Sequence, residues 1–343
     1  MTAQPSTLDT RHSSLGPPLL RVRGLCKHFP IWSKGFLRKQ VGLVKAVDEV
    51  SFDLQRGETL GLVGESGSGK TTCARTILRA LQPTRGEVVF DDGAGAVDLA
   101  ALPEGALKPL RPKMQMIFQD PFSSLNPRMT VGQIVAEPLQ IHRIAKGQEL
   151  DDRVVDILRK VGLKPEHRQR YPHAFSGGQR QRIGIARTLI MRPSLVVADE
   201  AVSALDVSVQ AQVINLLADL QQEFGLTYIF VAHDLSVVRH ICTRVAVMYA
   251  GKVVELAPTE ELFGNPRHPY TQALLSAVPN VDPDVKLRFD VSGEVADAGR
   301  LPAGCSFHPR CPRRFEPCDK ETPALIPVAN SPSCTACHLY RGA

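Results

Sequence analysis

Three runs along this chain are almost wholly apolar: "TLGLV" from Thr59 to Val63, "SLVVAD" ending on Asp199, and "YIFVA" just before His233. Short continuous apolar runs that end on a polar residue suit buried strands of a parallel sheet, covered on both faces. Stretches such as "LLRVRGL" and "GEVVF" within residues 21–115 read as additional strands, an antiparallel flank to that sheet. Residues from about 116 to 195 read as mostly helical, and those from 196 to 260 return to strand patterns. Beyond about residue 261 proline and then cysteine become prominent, which marks an extension of different character. The first 18 residues are polar and lack the apolar stretch of a secretory signal. No run approaches the roughly 18 apolar residues that a membrane-spanning helix needs. Sustained heptads and internal repeats are also lacking. A cytosolic chain follows, with residues 19–260 as the main domain, residues 1–18 as a poorly ordered lead and residues 261–343 as the extension.

The first apolar run opens directly into "GESGSGKTT", and a helical pattern follows. Gly64, Glu65, Ser66, Gly67, Ser68, Gly69, Lys70 and Thr71 fit the spacing G-x-x-x-x-G-K-[ST], with Thr72 next in the new helix. Glycines let the backbone close around a phosphate with its N–H groups pointing inward, and the helix N-terminus adds partial positive charge. Lys70 is placed to reach the β- and γ-phosphates of a nucleotide, and the Thr71 hydroxyl to ligate Mg²⁺. The second apolar run delivers Asp199 and Glu200 at its C-terminal end, where open α/β sheets bind ligands. Asp199 is expected to hold the Mg²⁺ through water, and Glu200 to activate the attacking water. An acidic turn after a core strand is common by itself. Combined with the phosphate loop, it predicts a nucleotide-hydrolysing site in an α/β fold.

Between those runs stands "FSGGQRQRIGIARTLI", whose Ser176, Gly177, Gly178 and Gln179 resemble the signature motif of ATP-binding cassette (ABC) ATPases. Gln119 in "IFQDP", "SALD" from Ser203 to Asp206, and His233 in "IFVAHDL" fall in the order of that family. The resemblance implies a P-loop NTPase of RecA-like core, with an antiparallel β subdomain and a helical subdomain at about residues 116–195. It further implies that Gln119 senses Mg²⁺ and water, that His233 contacts the γ-phosphate, and that Asp206 lies at a dimer interface. The signature would meet ATP held by a second subunit, so that two chains sandwich two nucleotides. Phe29 matches the aromatic that stacks on adenine, with Trp32 and Phe36 as rivals because residues 31–43 read as an insertion. Phe175 and Ala201 depart from the residues most frequent there, outside the catalytic contacts.

"QDPFSSLNPRMTVGQIVAEPL", "DEAVSALDVSVQAQVINLL" and the tail "NPRHPYTQALLSAVP" are similar to oligopeptide and dipeptide importer ATPases. This narrower resemblance implies two membrane-spanning permease partners, a second and different ATPase subunit and, indirectly, an extracytoplasmic solute-binding protein. It places the chain peripherally on the cytoplasmic membrane face, with a di- or oligopeptide, nickel or glutathione as the solute class.

Five of the eight cysteines fall at Cys305 or beyond. In a reducing cytosol such a group binds metal or stays inert. Its spacing C-x₅-C-x₆-C fits a zinc knuckle poorly, whereas four irregularly spaced thiolates suit a [4Fe–4S] cluster. Cys305, Cys311 and Cys318 are the expected ligands, and the family pattern favours Cys337 over Cys334 as the fourth; zinc is the alternative. A zinc-bearing tail with a net charge of +6 also fits ABC ATPases that act on nucleic acid. Against that stand the missing coiled coil and second cassette, and an aromatic fraction of 6% without a basic, aromatic-lined stripe.

Overall fold

The computed structural model describes residues 16–33, 39–120, 124–276 and 299–341. Phe36 and most of the polar lead lie outside them. The chain starts with a long antiparallel hairpin, β1 (Leu20–Trp32) and β2 (Gln40–Leu54), in register from Leu20 opposite Leu54 to Trp32 opposite Gln40. Of the stretch 31–43 that reads as an insertion, Ile31 pairs with Gly42 and Trp32 with Gln40 in this hairpin. β3 (Thr59–Val63) leads through the glycine loop into α1 (Lys70–Ile77). β4 (Arg85–Phe90) and β5 (Val97–Asp98) return to the hairpin, giving a four-stranded sheet in the order β2-β1-β4-β5.

A short helix, α2 (Glu104–Leu107), precedes β6 (Met114–Ile117). A helical layer follows, made of α3 (Val131–Ile141), α4 (Gly147–Lys160) and α5 (Gly177–Leu189). Alternating units complete the core: β7 (Leu195–Asp199), α6 (Val207–Phe224), β8 (Thr227–Val231), α7 (Leu235–Ile241), β9 (Arg244–Tyr249) and β10 (Lys252–Pro258). The extension supplies α8 (Thr259–Gly264), α9 (Pro269–Ser276), β11 (Ile326–Pro327) and β12 (Cys334–Thr335). These strands form a second sheet in the order β11-β12-β10-β9-β3-β8-β7-β6.

Side-chain alternation explains why the central strands read as unbroken apolar runs. In β7, Leu195 and Val197 enter one core while Val196 and Ala198 enter the other. β8 divides likewise, with Ile229 and Val231 on one side and Tyr228 and Phe230 on the other. Both faces of the sheet are therefore dry, and a polar residue at either would be buried without a partner. The helices show the complementary one-sided pattern. Leu150, Val154, Ile157 and Leu158 are the buried residues of α4, a single stripe at helical spacing. α6 buries Val213, Ile214, Leu217 and Leu220 and stops at Gly225, which takes the left-handed cap conformation at φ 64°.

The parallel pairings β6–β7, β7–β8, β3–β8 and β3–β9 orient those strands alike. Their C-terminal ends consequently share one edge, and the segments carrying Gln119, Asp199, Glu200, His233 and the glycine loop all leave from it. The extension is not a separate appendage: β12 joins β10, with Glu255 opposite Thr335 and Leu256 opposite Cys334. The Ala336 N–H continues that seam by donating to the Val254 carbonyl at 2.8 Å. Among the described residues no helix is long and apolar enough to cross a membrane.

Candidate active site

The loop Gly64–Gly69 wraps around the ammonium of Lys70, which donates to the carbonyls of Gly64 at 2.7 Å and Glu65 at 2.9 Å. Glycine is required where the loop turns into α1. Gly69 has φ 102°, and a Cβ there would lie 2.0 Å from the Ala46 carbonyl oxygen. Such a backbone is strained for any other residue, and the space is already filled. Burial lowers the pKa of Lys70, while the carboxylates of Glu200, Asp199 and Glu65 oppose that shift. The Thr71 hydroxyl donates to Asp199 Oδ1 at 2.7 Å, across 128 positions of sequence. Asp199 is buried, and burial raises its pKa against the pull of Thr71 and Arg75; the Arg75 guanidinium lies 3.6 Å from Oδ2.

Glu200 stands beyond the end of β7 with its backbone at φ 48°, in the left-handed region that non-glycine residues rarely enter. Its N–H donates to the Val231 carbonyl of β8 at 3.0 Å, and its own carbonyl accepts from the Ser203 hydroxyl at 3.0 Å. Buried Ala201 and Val202 anchor the same turn in the core. The turn is thus held at both ends, which is how an unfavourable backbone persists. The carboxylate meets the Gln119 side-chain amide, which donates to Oε2 at 2.8 Å, and His233 Nδ1 lies 3.4 Å from the same oxygen. Lys70, Thr71, Asp199, Glu200, Gln119 and His233 are therefore brought together at one sheet edge.

Ser176 is on a different element. It is the N-cap of α5: its hydroxyl accepts from the Gln179 N–H, and its N–H donates to Gln179 Oε1 at 3.1 Å. This reciprocal pair satisfies two helix-end donors and orients Gly177 and Gly178 in the first turn. α5 packs on α3, α4, α6 and β6, whereas α1 packs on β1, β2, β7 and β8. Asp206 is the exposed N-cap residue of α6. Phe29 and Trp32 are both exposed near the hairpin tip, and the Lys27 ammonium lies 4.8 Å from the centre of the Phe29 ring.

All of the tail cysteines are free thiols. Burial pushes Cys305 and Cys337 up to about 11, and the charges of their fellow thiols act in the same direction. Cys337 feels Cys305, Cys311 and Cys318 in this way, while Cys334 is built into β12.

Two features had no local signal in the sequence. Arg310 of the tail grips Glu65 of the phosphate loop across 245 positions, at 2.9 and 3.1 Å. The other is a group of buried Cys26 and Asp48 with half-buried His28, whose potential ligand atoms lie within 4.8 Å of one another. Asp48 already faces the ammonium groups of Lys252 at 3.1 Å and Lys45 at 3.6 Å, so its charge is compensated without a metal ion.

A carboxylate at the shared strand edge, a glycine loop around a lysine and a capped Ser-Gly-Gly-Gln start on a separate helix have the layout of a nucleotide-hydrolysing cassette. Residues 47–203 match the ABC transporter family and residues 254–318 match the oligopeptide/dipeptide transporter C-terminal region. The chain is 52% identical over 326 residues to the oligopeptide transport ATP-binding protein AppF of Bacillus subtilis, covering 94% of this chain and 97% of that one. It is 50% identical over 319 residues to the dipeptide transport ATP-binding protein DppF of Escherichia coli, covering 93% and 94%. The dimeric ATP-binding cassette MJ0796, in a post-hydrolysis state bound to ADP and Pi, superposes with a TM-score of 0.60 at 28% identity, over 70% of this chain and 98% of that one. The chain belongs to the ATP-hydrolysing subunits of peptide ABC transporters.

Proposed function

We propose that this subunit powers import of a di- or oligopeptide through two permease subunits, by closing and reopening a sandwich dimer of cassettes around ATP. The observation that carries the reading is the meeting of Gln119, Glu200 and His233 next to the Thr71–Asp199 pair, at the mouth of the loop holding Lys70. Lys70 exchanges its loop carbonyls for the β- and γ-phosphates when ATP binds. Thr71 and Asp199 offer oxygen donors 2.7 Å apart, a hard donor set that suits Mg²⁺. The ion supplies charge compensation for the phosphates. Glu200 accepts the proton of the attacking water, Gln119 orients Glu200 and that water, and His233 donates toward the γ-phosphate.

Ser176, Gly177, Gly178 and Gln179 present a helix N-terminus suited to the γ-phosphate held by a second cassette, with Asp206 at the same interface. ATP then favours the closed pair, and hydrolysis removes the ligand that held it closed. The second cassette is read as a different ATPase subunit, with an extracytoplasmic binding protein delivering solute to the permeases. The complex places this chain on the cytoplasmic membrane face. Phe29 is read as the adenine-stacking ring from its match to the family's aromatic position, with Trp32, paired and exposed on the same strand, as the rival.

Cys305, Cys311, Cys318 and Cys337 are read as the ligands of a structural [4Fe–4S] cluster. Cys305, Cys311 and Cys318 lie near enough for their charges to act on Cys337. Four thiolates of irregular spacing suit the Cys₄ ligation of such a cluster, and zinc is the alternative. Anaerobic purification should give brown protein absorbing at about 400 nm; colourless protein with stoichiometric zinc refutes the cluster.

The transport reading is tested in vesicles containing the permeases, the partner cassette and the binding protein. ATPase activity should rise with peptide present. Stimulation by DNA or RNA instead, with none by the transporter components, would support the nucleic-acid class.

A further inference from the structure

Glu65 is held from three directions. Its carbonyl accepts from Lys70 at 2.9 Å, its N–H donates to the Tyr270 hydroxyl at 2.8 Å, and its carboxylate receives the Arg310 guanidinium at 2.9 and 3.1 Å. The last is a two-pronged, charge-assisted pair, the strongest kind of side-chain hydrogen bonding and the most restrictive in geometry. It is also shielded, with the Arg310 and Glu65 side chains 10% and 28% exposed. Behind Arg310 stands a buried aromatic wall. Tyr249, Tyr270 and Phe307 have ring centres 4.6 to 5.4 Å apart, and the guanidinium lies 5.8 Å from Phe307 and 5.9 Å from Tyr249. Arg310 itself closes the short turn His308–Arg310, between Cys305 and Cys311. The cysteine-bearing tail thus reaches the phosphate loop of its own chain.

The charge of Glu65 has an evident cost. A carboxylate on the second residue of a loop that receives a polyanion repels that polyanion unless it is neutralised. Arg310 supplies the neutralising charge and turns the carboxylate toward the tail.

We propose that Arg310 is a positioning residue of the nucleotide site, which neutralises and orients Glu65 and so makes ATP affinity depend on the tail. This rests on the reading of residues 64–71 as the ATP site. Arg310 touches neither nucleotide nor reacting atoms; it acts through Glu65.

The test is titration of the full chain with a fluorescent ATP analogue and Mg²⁺, using Arg310→Gln, Glu65→Gln, the double variant and Lys70→Ala. Arg310→Gln should bind about tenfold more weakly, because one uncompensated charge remains beside the phosphates. Glu65→Gln, which removes that charge, should bind at least as tightly as the parent. The double variant should recover to within about threefold of the parent, since pairs in contact are non-additive. In ATPase assays the KM of Arg310→Gln should rise while kcat holds. Unchanged binding in Arg310→Gln overturns the proposal. So does a double variant as weak as Arg310→Gln, because a prop lost from the fold is not restored by Glu65→Gln. If Arg310→Gln does not fold, Arg310→Lys, which keeps the charge but loses the fork, should bind about threefold more weakly and be rescued by Glu65→Gln. Parent affinity in Arg310→Lys then overturns it. Lys70→Ala separates the two levels: unchanged binding there refutes the ATP-site reading itself.

Discussion

Gln119 and Glu200 lie 81 positions apart in sequence and meet at 2.8 Å, the amide of one donating to the carboxylate of the other. Each follows a different parallel strand, β6 and β7, so the distance between them is set by strand pairing and not by either loop alone. His233, beyond β8, completes the group from the next strand. Gln119 and His233 thus meet one Glu200 oxygen from the strands on either side of β7, while the Val231 carbonyl and the Ser203 hydroxyl hold its left-handed backbone.

Glu200→Gln keeps the shape and the Gln119 contact distance but cannot take a proton. Turnover should fall by about a hundredfold or more, the usual contribution of a positioned base. ATP binding should survive, so nucleotide accumulates in a closed dimer that elutes earlier from a sizing column. Parent-like turnover would rule out the base assignment.

The Thr71–Asp199 bond predicts a metal phenotype separable from nucleotide affinity. Thr71→Val removes the hydroxyl while preserving volume at the start of α1. The Mg²⁺ concentration for half-maximal ATPase activity should rise about tenfold or more, in the range seen when metal-site ligands or their partners are lost. An unchanged Mg²⁺ titration would exclude Thr71 from the metal site.

How much of this was legible follows from the range of each interaction. β3, β7 and β8 could be read directly because burial on two faces leaves no room for polar residues. The phosphate loop was equally legible, since its spacing encodes a backbone shape. The Ser176–Gln179 capping pair is local and visible as S-x-x-Q. By contrast, nothing near Glu65 announces Arg310 or Tyr270, because only the folded chain brings the tail there. The left-handed backbone of Glu200 was also hidden, as glutamate carries no propensity for it.

Gly178 illustrates a role that the motif alone conceals. A Cβ at this position would lie 2.4 Å from Val209 Cγ1 on α6, whereas one at Gly177 would have 3.6 Å to Leu205. Val209 is β-branched and cannot simply rotate away. Gly178→Ala should cost about 1–3 kcal/mol in unfolding measurements through overpacking, and Val209→Ala in the same chain should restore most of it. Gly177→Ala should be nearly neutral in stability, so any ATPase loss there reports on the signature and not on packing. Equal destabilisation by both glycine substitutions would contradict the steric distinction.

His268 predicts a pH dependence for the seat of the tail. It is fully buried beside α9, and burial pushes its pKa down from 6.5 to about 3, against a hydrogen bond to the Ala336 backbone. Its Nδ1 accepts from the Tyr270 N–H at 3.0 Å, and Tyr270 in turn supports Glu65. The unfolded chain protonates this histidine below its ordinary value near 6.5, while the folded chain resists until about 3. Unfolding therefore takes up a proton in that window, and stability declines as pH falls through it. Nearby Glu255 acts oppositely: burial raises its pKa, so near and above 4.5 the folded state binds the extra proton. Comparing the parent with His268→Gln isolates the histidine, because Glu255 is common to both. Between pH 6.5 and 5 the parent should lose about 2 kcal/mol more than the variant in denaturant titrations, from about 1.4 kcal/mol per pH unit for one proton. Parallel pH profiles would show that His268 exchanges protons as freely in the folded chain as in the unfolded one, and that Tyr270 keeps its place without a neutral acceptor beneath it.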